Sequence, residues 1–303
     1  MLFRSRSRLY KNDGNGTFMD MAYATGIGFK SNSVQAKFID YDLEGDLDLF
    51  IATESANQLY RNNGDGTFTD VSEKSGTIGE PVYSSDMLFG DFDDDGDVDM
   101  VVLNPAGTSR FYDNRRQGIF SDISDRAGLD FVGQPSSIVM GDYNNDGYLD
   151  IFIADLSAEH HAIFKNKGDG TFIKDKKSLA GVFGLNEFSA IQAKFADLDN
   201  DGYLDILVAG SAAESDKKKD GLILLHNDGY GKYTDASATL PSGLSPIEHI
   251  YTIDLDNDGD LDIIQINDLG QLQALRNDGG NLNNYLKIRL AGQIGRASCR
   301  ERV

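Results

Sequence analysis

The feature that most constrains this chain is that it repeats itself. Nine-residue acidic clusters read DYDLEGDLD (40–48), DFDDDGDVD (91–99), DYNNDGYLD (142–150), DLDNDGYLD (197–205) and DLDNDGDLD (254–262). Their first aspartates are 51, 51, 55 and 57 residues apart. A fixed period of this size restricts the fold to a propeller, a solenoid or a tandem array of small units. A second signature recurs downstream of each cluster: LYKNDGNGTF (9–18), LYRNNGDGTF (59–68), FYDNRRQGIF (111–120), IFKNKGDGTF (163–172) and LLHNDGYGKY (224–233). A degenerate copy starts at Ala274-Leu275-Arg276-Asn277-Asp278-Gly279.

One period divides into four strands. VQAKFI (34–39) is short and apolar-rich, and the acidic loop follows it. LDLFIAT (47–53) is a nearly continuous apolar run, as expected of a strand buried on both faces. QLYRN, a Gly-rich turn and TFTDVS then form a hairpin. Helical periodicity is weak, and the rungs of a parallel β-helix are shorter. The expected fold is therefore all-β: a β-propeller of four-stranded antiparallel blades. Five blades are complete, an outer hairpin (9–20) precedes them, and a partial one follows.

The two ends depart from this pattern. LFRS (2–5) and IGRASCRERV (294–303) match neither the composition nor the period and resemble translated adapter sequence, so residues 1–5 and 294–303 are set aside. The remainder reads as an internal fragment. Cys299, the only cysteine, falls in the excluded tail, which removes disulfides, thiolate nucleophiles and Cys-based zinc sites from consideration. Without the ends, Lys+Arg falls from 28 to 24 and Asp+Glu from 49 to 48, moving the net charge from −21 to −24. Such a chain does not seek phosphate backbones, so nucleic acid is not an expected partner. No apolar run approaches the ~20 residues of a membrane span. Acidity alone can mean disorder, but 40% hydrophobic residues arranged in short regular runs argue for a folded core.

Within each cluster, positions 1, 3, 5 and 9 carry side-chain oxygens, position 6 is glycine and position 8 is apolar. This is the opening of a calcium loop, in which alternating oxygens wrap one ion and glycine permits the sharp turn. The expected ligands are Asp40, Asp42, Glu44 and Asp48; Asp91, Asp93, Asp95 and Asp99; Asp142, Asn144, Asp146 and Asp150; Asp197, Asp199, Asp201 and Asp205; and Asp254, Asp256, Asp258 and Asp262. A glutamate at position 12, which closes an EF-hand, is absent, and Asp at position 9 closes the shell instead. Oxygen-only donors favour Ca²⁺ over transition metals, with Mg²⁺ second. About five ions would supply a counter-charge that the sequence otherwise does not. The apolar residue at position 8 is expected to anchor each loop in its blade. Asp, Asn and Gly are also ordinary turn formers, but five clusters in one register argue against that reading. The N-G-D-G-T-F segments lack alternating oxygens and read as tight hairpin turns whose closing aromatic packs between blades.

The paired signatures resemble FG-GAP/VCBS repeats, the blades of integrin-α-like propellers, over residues 6–280. NNYLKIRLAG (283–292) resembles the first strand of an ASPIC/UnbV domain, giving a truncated segment at 281–293. The resemblance implies a truncated seven-bladed propeller from an extracellular, cell-surface or periplasmic protein. Calcium loops that need millimolar ion point to the same places.

Other candidates carry less. His160-His161 read as a surface loop, His226 and His249 as isolated, DKKKD (216–220) as a solvated insertion, and the NGT sequon (15–17) as part of a repeat turn. The leading functional expectation is a noncatalytic, calcium-binding scaffold for protein or glycan ligands. The alternative is the propeller domain of a secreted enzyme such as a polysaccharide lyase or hydrolase. In a four-stranded blade the acidic loops and Gly-rich turns share one face, so partner binding is expected on the other, through Tyr83, Phe131 and Phe188 in the long interblade loops, which also carry Phe183.

Overall fold

A computed structural model describes residues 8–27, 32–77, 83–116, 118–158, 160–182, 185–212, 221–242, 244 and 247–279. The chain is all-β, of the β-propeller class. A two-stranded hairpin, β1 (Tyr10–Asn12) and β2 (Phe18–Asp20), comes first. The first blade is β3 (Ser33–Ile39), β4 (Asp48–Thr53), β5 (Gln58–Asn62) and β6 (Phe68–Asp70). The second is β7 (Asp86–Gly90), β8 (Asp99–Leu103), β9 (Arg110–Asn114) and β10 (Phe120–Asp122). The third is β11 (Pro135–Gly141), β12 (Asp150–Asp155), β13 (Ala162–Asn166) and β14 (Phe172–Asp175). The fourth is β15 (Phe188–Ala196), β16 (Asp205–Ala212), β17 (Gly221–Asn227) and β18 (Tyr233–Asp235). The fifth shows β19 (Ile247–Ile253), β20 (Asp262–Asn267) and β21 (Leu272–Leu275) among the described residues. Its expected fourth strand, the ASPIC/UnbV-like segment and both adapter-like ends fall outside them. Every pairing within a sheet is antiparallel and joins strands adjacent in sequence.

The chain forms two compact units. One holds the hairpin and the first two blades; the other holds the third, fourth and fifth, together with Phe92–Asp94. In each unit the second strand of a blade is the centre of the packing. β4 is buried at every position, so Leu49 and Ile51 pack to one side while Phe50 and Ala52 pack to the other. The latter pair joins Met87, Met100, Val102 and Tyr112 of the second blade in one core. In the other unit, Phe152 and Ala154 of β12 meet Phe188, Ala190, Ile206 and Val208 of the fourth blade. Leu207 and Ala209 of β16 face the opposite way, onto Ile247, Ile250 and Ile263 of the fifth. Alternation along one strand thus serves two interblade cores at once.

The sequence does not announce how blades are fastened at their ends. The asparagine closing the third strand does much of it. Asn227, fully buried, donates its side-chain N–H to Tyr143 O (2.8 Å) of the preceding blade's acidic loop and to Leu204 O (3.2 Å) of its own. Its Oδ1 accepts the Gly229 N–H. Asn114 reaches Tyr41 O (2.8 Å), Asn166 reaches Phe92 O (2.8 Å), and Asn277 reaches Leu198 O (2.6 Å) in the same way. The Oδ1 atoms of Asn166 and Asn277 accept the Gly168 and Gly279 N–H as Asn227 does for Gly229, and buried amides satisfied this fully are costly to lose. Asn227→Ala is expected to destabilise the protein by about 2–3 kcal/mol in a denaturant melt, whereas Asn15→Ala, in an exposed turn, should cost under about 0.5 kcal/mol. Equal costs would remove the asparagine from this fastening role.

Candidate metal centre

Each acidic loop joins the first and second strands of its blade, and its backbone is folded by its own side chains. The position-1 carboxylate spans the turn: Asp142 Oδ1 accepts the Asp146 N–H (3.0 Å) and Oδ2 the Gly147 N–H (2.8 Å). Asp91 and Asp197 do the same to their fifth and sixth positions. Position 5 then holds position 7, as in Asp95 to Asp97 N–H and Asp201 to Tyr203 N–H. The glycine at position 6 lies at φ between 89° and 98° in all five loops, as its conformational freedom allows. Position 4 is left-handed as well: Leu43, Asp94, Asn145, Asn200 and Asn257 have φ of 54–64°. Asn and Asp tolerate this region, while Leu43 does so under strain.

Position 9 is the buried centre. Asp48, Asp99, Asp150, Asp205 and Asp262 are 0–2% exposed. In each blade Oδ1 accepts the backbone N–H of the third-strand asparagine, from Asn62, Asn114, Asn166, Asn227 and Asn277, at 2.7–2.9 Å. In the first, fourth and fifth loops, Oδ2 also accepts the N–H of position 2. Burial pushes the carboxyls of Asp48 and Asp150 up to about 7 and that of Asp205 up to about 6. Burial likewise raises Asp42 and Asp197.

Carboxylate oxygens of alternate positions converge. Those of Asp40, Asp42 and Asp48 lie within 4.8 Å of one another, as do those of Asp91, Asp93 and Asp99, of Asp142, Asp146 and Asp150, and of Asp197, Asp199 and Asp201. Such groups could hold a divalent cation. The donor set fits: hard oxygens at short range, with Asp40 Oδ1 buried and without a hydrogen-bond partner. In the third loop the Asn144 amide donates to Asp150 Oδ2 (2.8 Å), so that loop satisfies itself more fully.

Three sequence expectations need correction. The first is the anchor of the loop. Position 8 divides: Val98 packs against the interblade core whereas Leu47 is 55% exposed, and in the first three loops the buried aromatic at position 2 anchors as well. Tyr41 stacks on Phe120 (6.1 Å between ring centroids), Phe92 meets Phe172 edge-on (5.7 Å), and Tyr143 stacks on Tyr233 (6.2 Å). Position 8 contributes its carbonyl to the asparagine amide. The aromatic at position 2 of the first three loops, Tyr41, Phe92 and Tyr143, was the available signal.

The second correction concerns counter-charge, which the chain does supply in part. Arg116 meets Asp97 (3.2 Å), Lys165 meets Asp146 (2.8 Å), and Arg276 meets Asp256 (3.4 Å). His226, far from isolated, sets Nδ1 against Asp199 (3.3 Å) and Asp205 (3.2 Å), so the fourth loop gains an imidazole beside its carboxylates.

The third concerns the partner face. Phe188 is completely buried in the core between the third and fourth blades, where its strand must fill the interblade space. Tyr83 is 42% exposed and Phe131 half-buried. Phe183 and DKKKD (216–220) lie outside the described residues. His161 is also core rather than surface. It stacks on Phe152, accepts the Asp155 N–H at Nδ1 and bonds Phe188 O through Nε2. The Gly-rich turns are closed by their own residues: Thr67 and Thr171 donate to Asp65 and Asp169 through both N–H and hydroxyl, drawing those carboxyls below the usual range.

Comparison with known proteins points one way. The FG-GAP-like repeat family matches residues 40–102, 91–153, 146–208 and 197–265. Integrin alpha-8 of Gallus gallus is 28% identical over 207 residues, covering 56% of this chain and 19% of that protein. Cartilage acidic protein 1 of Xenopus tropicalis is 29% identical over 145 residues, covering 48% and 21%. The T-cell immunomodulatory protein homolog of Plasmodium falciparum is 24% identical over 46% of this chain and 28% of its own length. The chain thus spans under a third of these relatives. Among solved structures, an Agrocybe aegerita lectin that recognises non-reducing terminal N-acetylglucosamine has the same fold, with a TM-score of 0.51 at 21% identity, over 90% of this chain and 76% of the lectin. No helix among the described residues is long and apolar enough to cross a membrane.

The buried position-9 carboxyls give a pH prediction. Ordinary aspartate in an unfolded chain titrates near 3.9. Between about pH 4 and 7 the metal-free folded protein therefore holds protons on Asp48, Asp150 and Asp205 that the unfolded chain has released. That contribution is present in full at the acid end and is lost as pH rises through 6–7. The melting temperature of the metal-free protein should rise on acidification from pH 8 to about 5. A flat or falling profile would contradict the burial argument.

Proposed function

Because the chain belongs to the FG-GAP-like repeat family, we propose that it is a noncatalytic binding scaffold whose acidic loops hold calcium and whose opposite face meets a protein or glycan outside the cytoplasm. The observation that carries this reading is the convergence of alternate carboxylates on a buried position-9 aspartate, with Asp40 Oδ1 left without a partner. A divalent cation supplies the missing positive contact at positions 1, 3, 5 and 9 of each loop, about five ions in all. Calcium is favoured by the all-oxygen donor set and by the flexible coordination it accepts. An extracellular or cell-surface setting follows, because loops of this kind need roughly millimolar ion.

The division of labour between faces supports a scaffold. Within each blade the acidic loop and the tight turn lie at one end of the strands, fixed by the asparagine bonds. The interblade loops with Tyr83 and Phe131 lie at the other end of theirs, and aromatic side chains on a rigid frame suit contact with protein or sugar.

Two outcomes test this. For a Kd of ~10⁻⁴ M, millimolar calcium stabilises each site by about 1.4 kcal/mol. Chelation should therefore lower the melting temperature substantially, with Ca²⁺ restoring it better than Mg²⁺, and Asp93→Ala should cost more of that gain than Asn144→Ala. Identical melts with and without calcium would refute the metal assignment. For the partner face, Tyr83→Ala and Phe131→Ala should weaken capture on glycan or extracellular-protein arrays at least ~3-fold while leaving the calcium-loaded melt unchanged. A loss of stability with binding intact would reassign both residues to packing.

A further inference from the structure

We propose that the acidic loops of the third, fourth and fifth blades fill with cations cooperatively, because each is hydrogen-bonded to the next through its left-handed asparagine. The inference rests on the cation reading above and concerns how neighbouring sites regulate one another.

The links are specific. Asn145, at position 4 of the third loop, donates its side-chain N–H to Gly202 O (3.2 Å), at position 6 of the fourth. Asn200, at position 4 of the fourth loop, donates to Gly259 O (3.3 Å) and to Asp260 Oδ1 (3.0 Å) in the fifth. Donor and acceptor are the most constrained backbone points of their loops. The asparagines sit at φ 54° and 55°, and the accepting glycines at 90° and 98°. Each asparagine also lies between two of its own loop's ligand positions: Asn145 between Asn144 and Asp146, Asn200 between Asp199 and Asp201.

The physical consequence is a shared ordering cost. An ion in the fifth loop fixes the turn at Gly259 and Asp260. That holds Asn200 and, through it, the flanking carboxylates of the fourth loop. Asp197 Oδ2 in turn bonds the Gly202 N–H (3.0 Å), and the carbonyl of that residue holds Asn145. A site already ordered by its neighbour binds its own ion at lower entropic cost, and the coupling is reciprocal. A neutral hydrogen bond has a net worth equivalent to about a threefold to tenfold change in affinity. The first loop is the internal contrast: its position 4 is Leu43, which has no side-chain donor, so it lacks this particular link to its neighbour.

Calcium-dependent hydrogen exchange read peptide by peptide on the whole chain tests this. Disabling the fifth loop with Asp254→Asn and Asp256→Asn should move the calcium midpoint for protection of residues 197–205 upward about threefold to tenfold. In an Asn200→Gly background, which keeps the left-handed backbone but removes the donor, the same change should move it by less than about twofold. Asn200→Gly alone, with every ligand of the fifth loop intact, should raise the midpoint of residues 254–262. This measurement decides the matter if the double substitution fails to fold. Midpoints at 197–205 and 254–262 that ignore these changes, or shift equally in both backgrounds, overturn the coupling. Absence of any calcium-dependent protection in the unaltered chain overturns the cation reading itself.

Discussion

The structure depends on one buried interaction: the carboxylate at position 9 of each acidic loop accepting the N–H of the third-strand asparagine. It ties the start of the second strand to the end of the third, so loop and hairpin turn become one rigid end of the blade. The asparagine side chain then carries the tie to the preceding blade's loop carbonyl, and the aromatic at position 2 of that loop closes over the contact. Removing a carboxylate from water is costly unless it is well bonded, and here two N–H groups do part of that work in several loops. Burial still raises the carboxyls of Asp48, Asp150 and Asp205, because these bonds do not fully replace the lost hydration.

That residue of uncompensated charge links fold to function. Arg116, Lys165 and Arg276 each approach the acidic loop of their own blade from its hairpin and set a cation at its rim, and His226 sets an imidazole there. One monovalent side chain against three or four carboxylates leaves a deficit that a divalent ion fits. The side-chain cations also differ from blade to blade, as does position 4, so five copies of one motif need not be five copies of one site.

The period, the buried second strand and the ligand register were legible in the sequence because they are written in alternation and spacing, which local sterics translate directly into geometry. The closing aromatics Phe120, Phe172 and Tyr233 were legible for the same reason. The anchor was only partly legible because an apolar residue at position 8 and one at position 2 look alike until it is known which way the turn delivers them; Leu47 is delivered to solvent, Val98 and Tyr41 to the core. Phe188 looked like a loop residue because the long first strand of the fourth blade begins with it, and strand starts are poorly marked. The third-strand asparagine was not singled out, because it merges with the turn residues that follow it. Its longer-range bonds span 73–84 residues of sequence, a separation at which no local pattern gives notice.

The asparagine fastening also divides the chain by its tolerance of length. From each first aspartate to position 9 the count never varies, and from the asparagine to the residue closing the turn it is six in the second, third and fourth blades, whereas the period stretches from 51 to 57. All the slack is taken up elsewhere, in the connections between second and third strands and between blades. One edge of each blade is thus a conserved ruler and the other an open site for variation, so a new recognition loop could be grafted onto the second side with the acidic side left untouched.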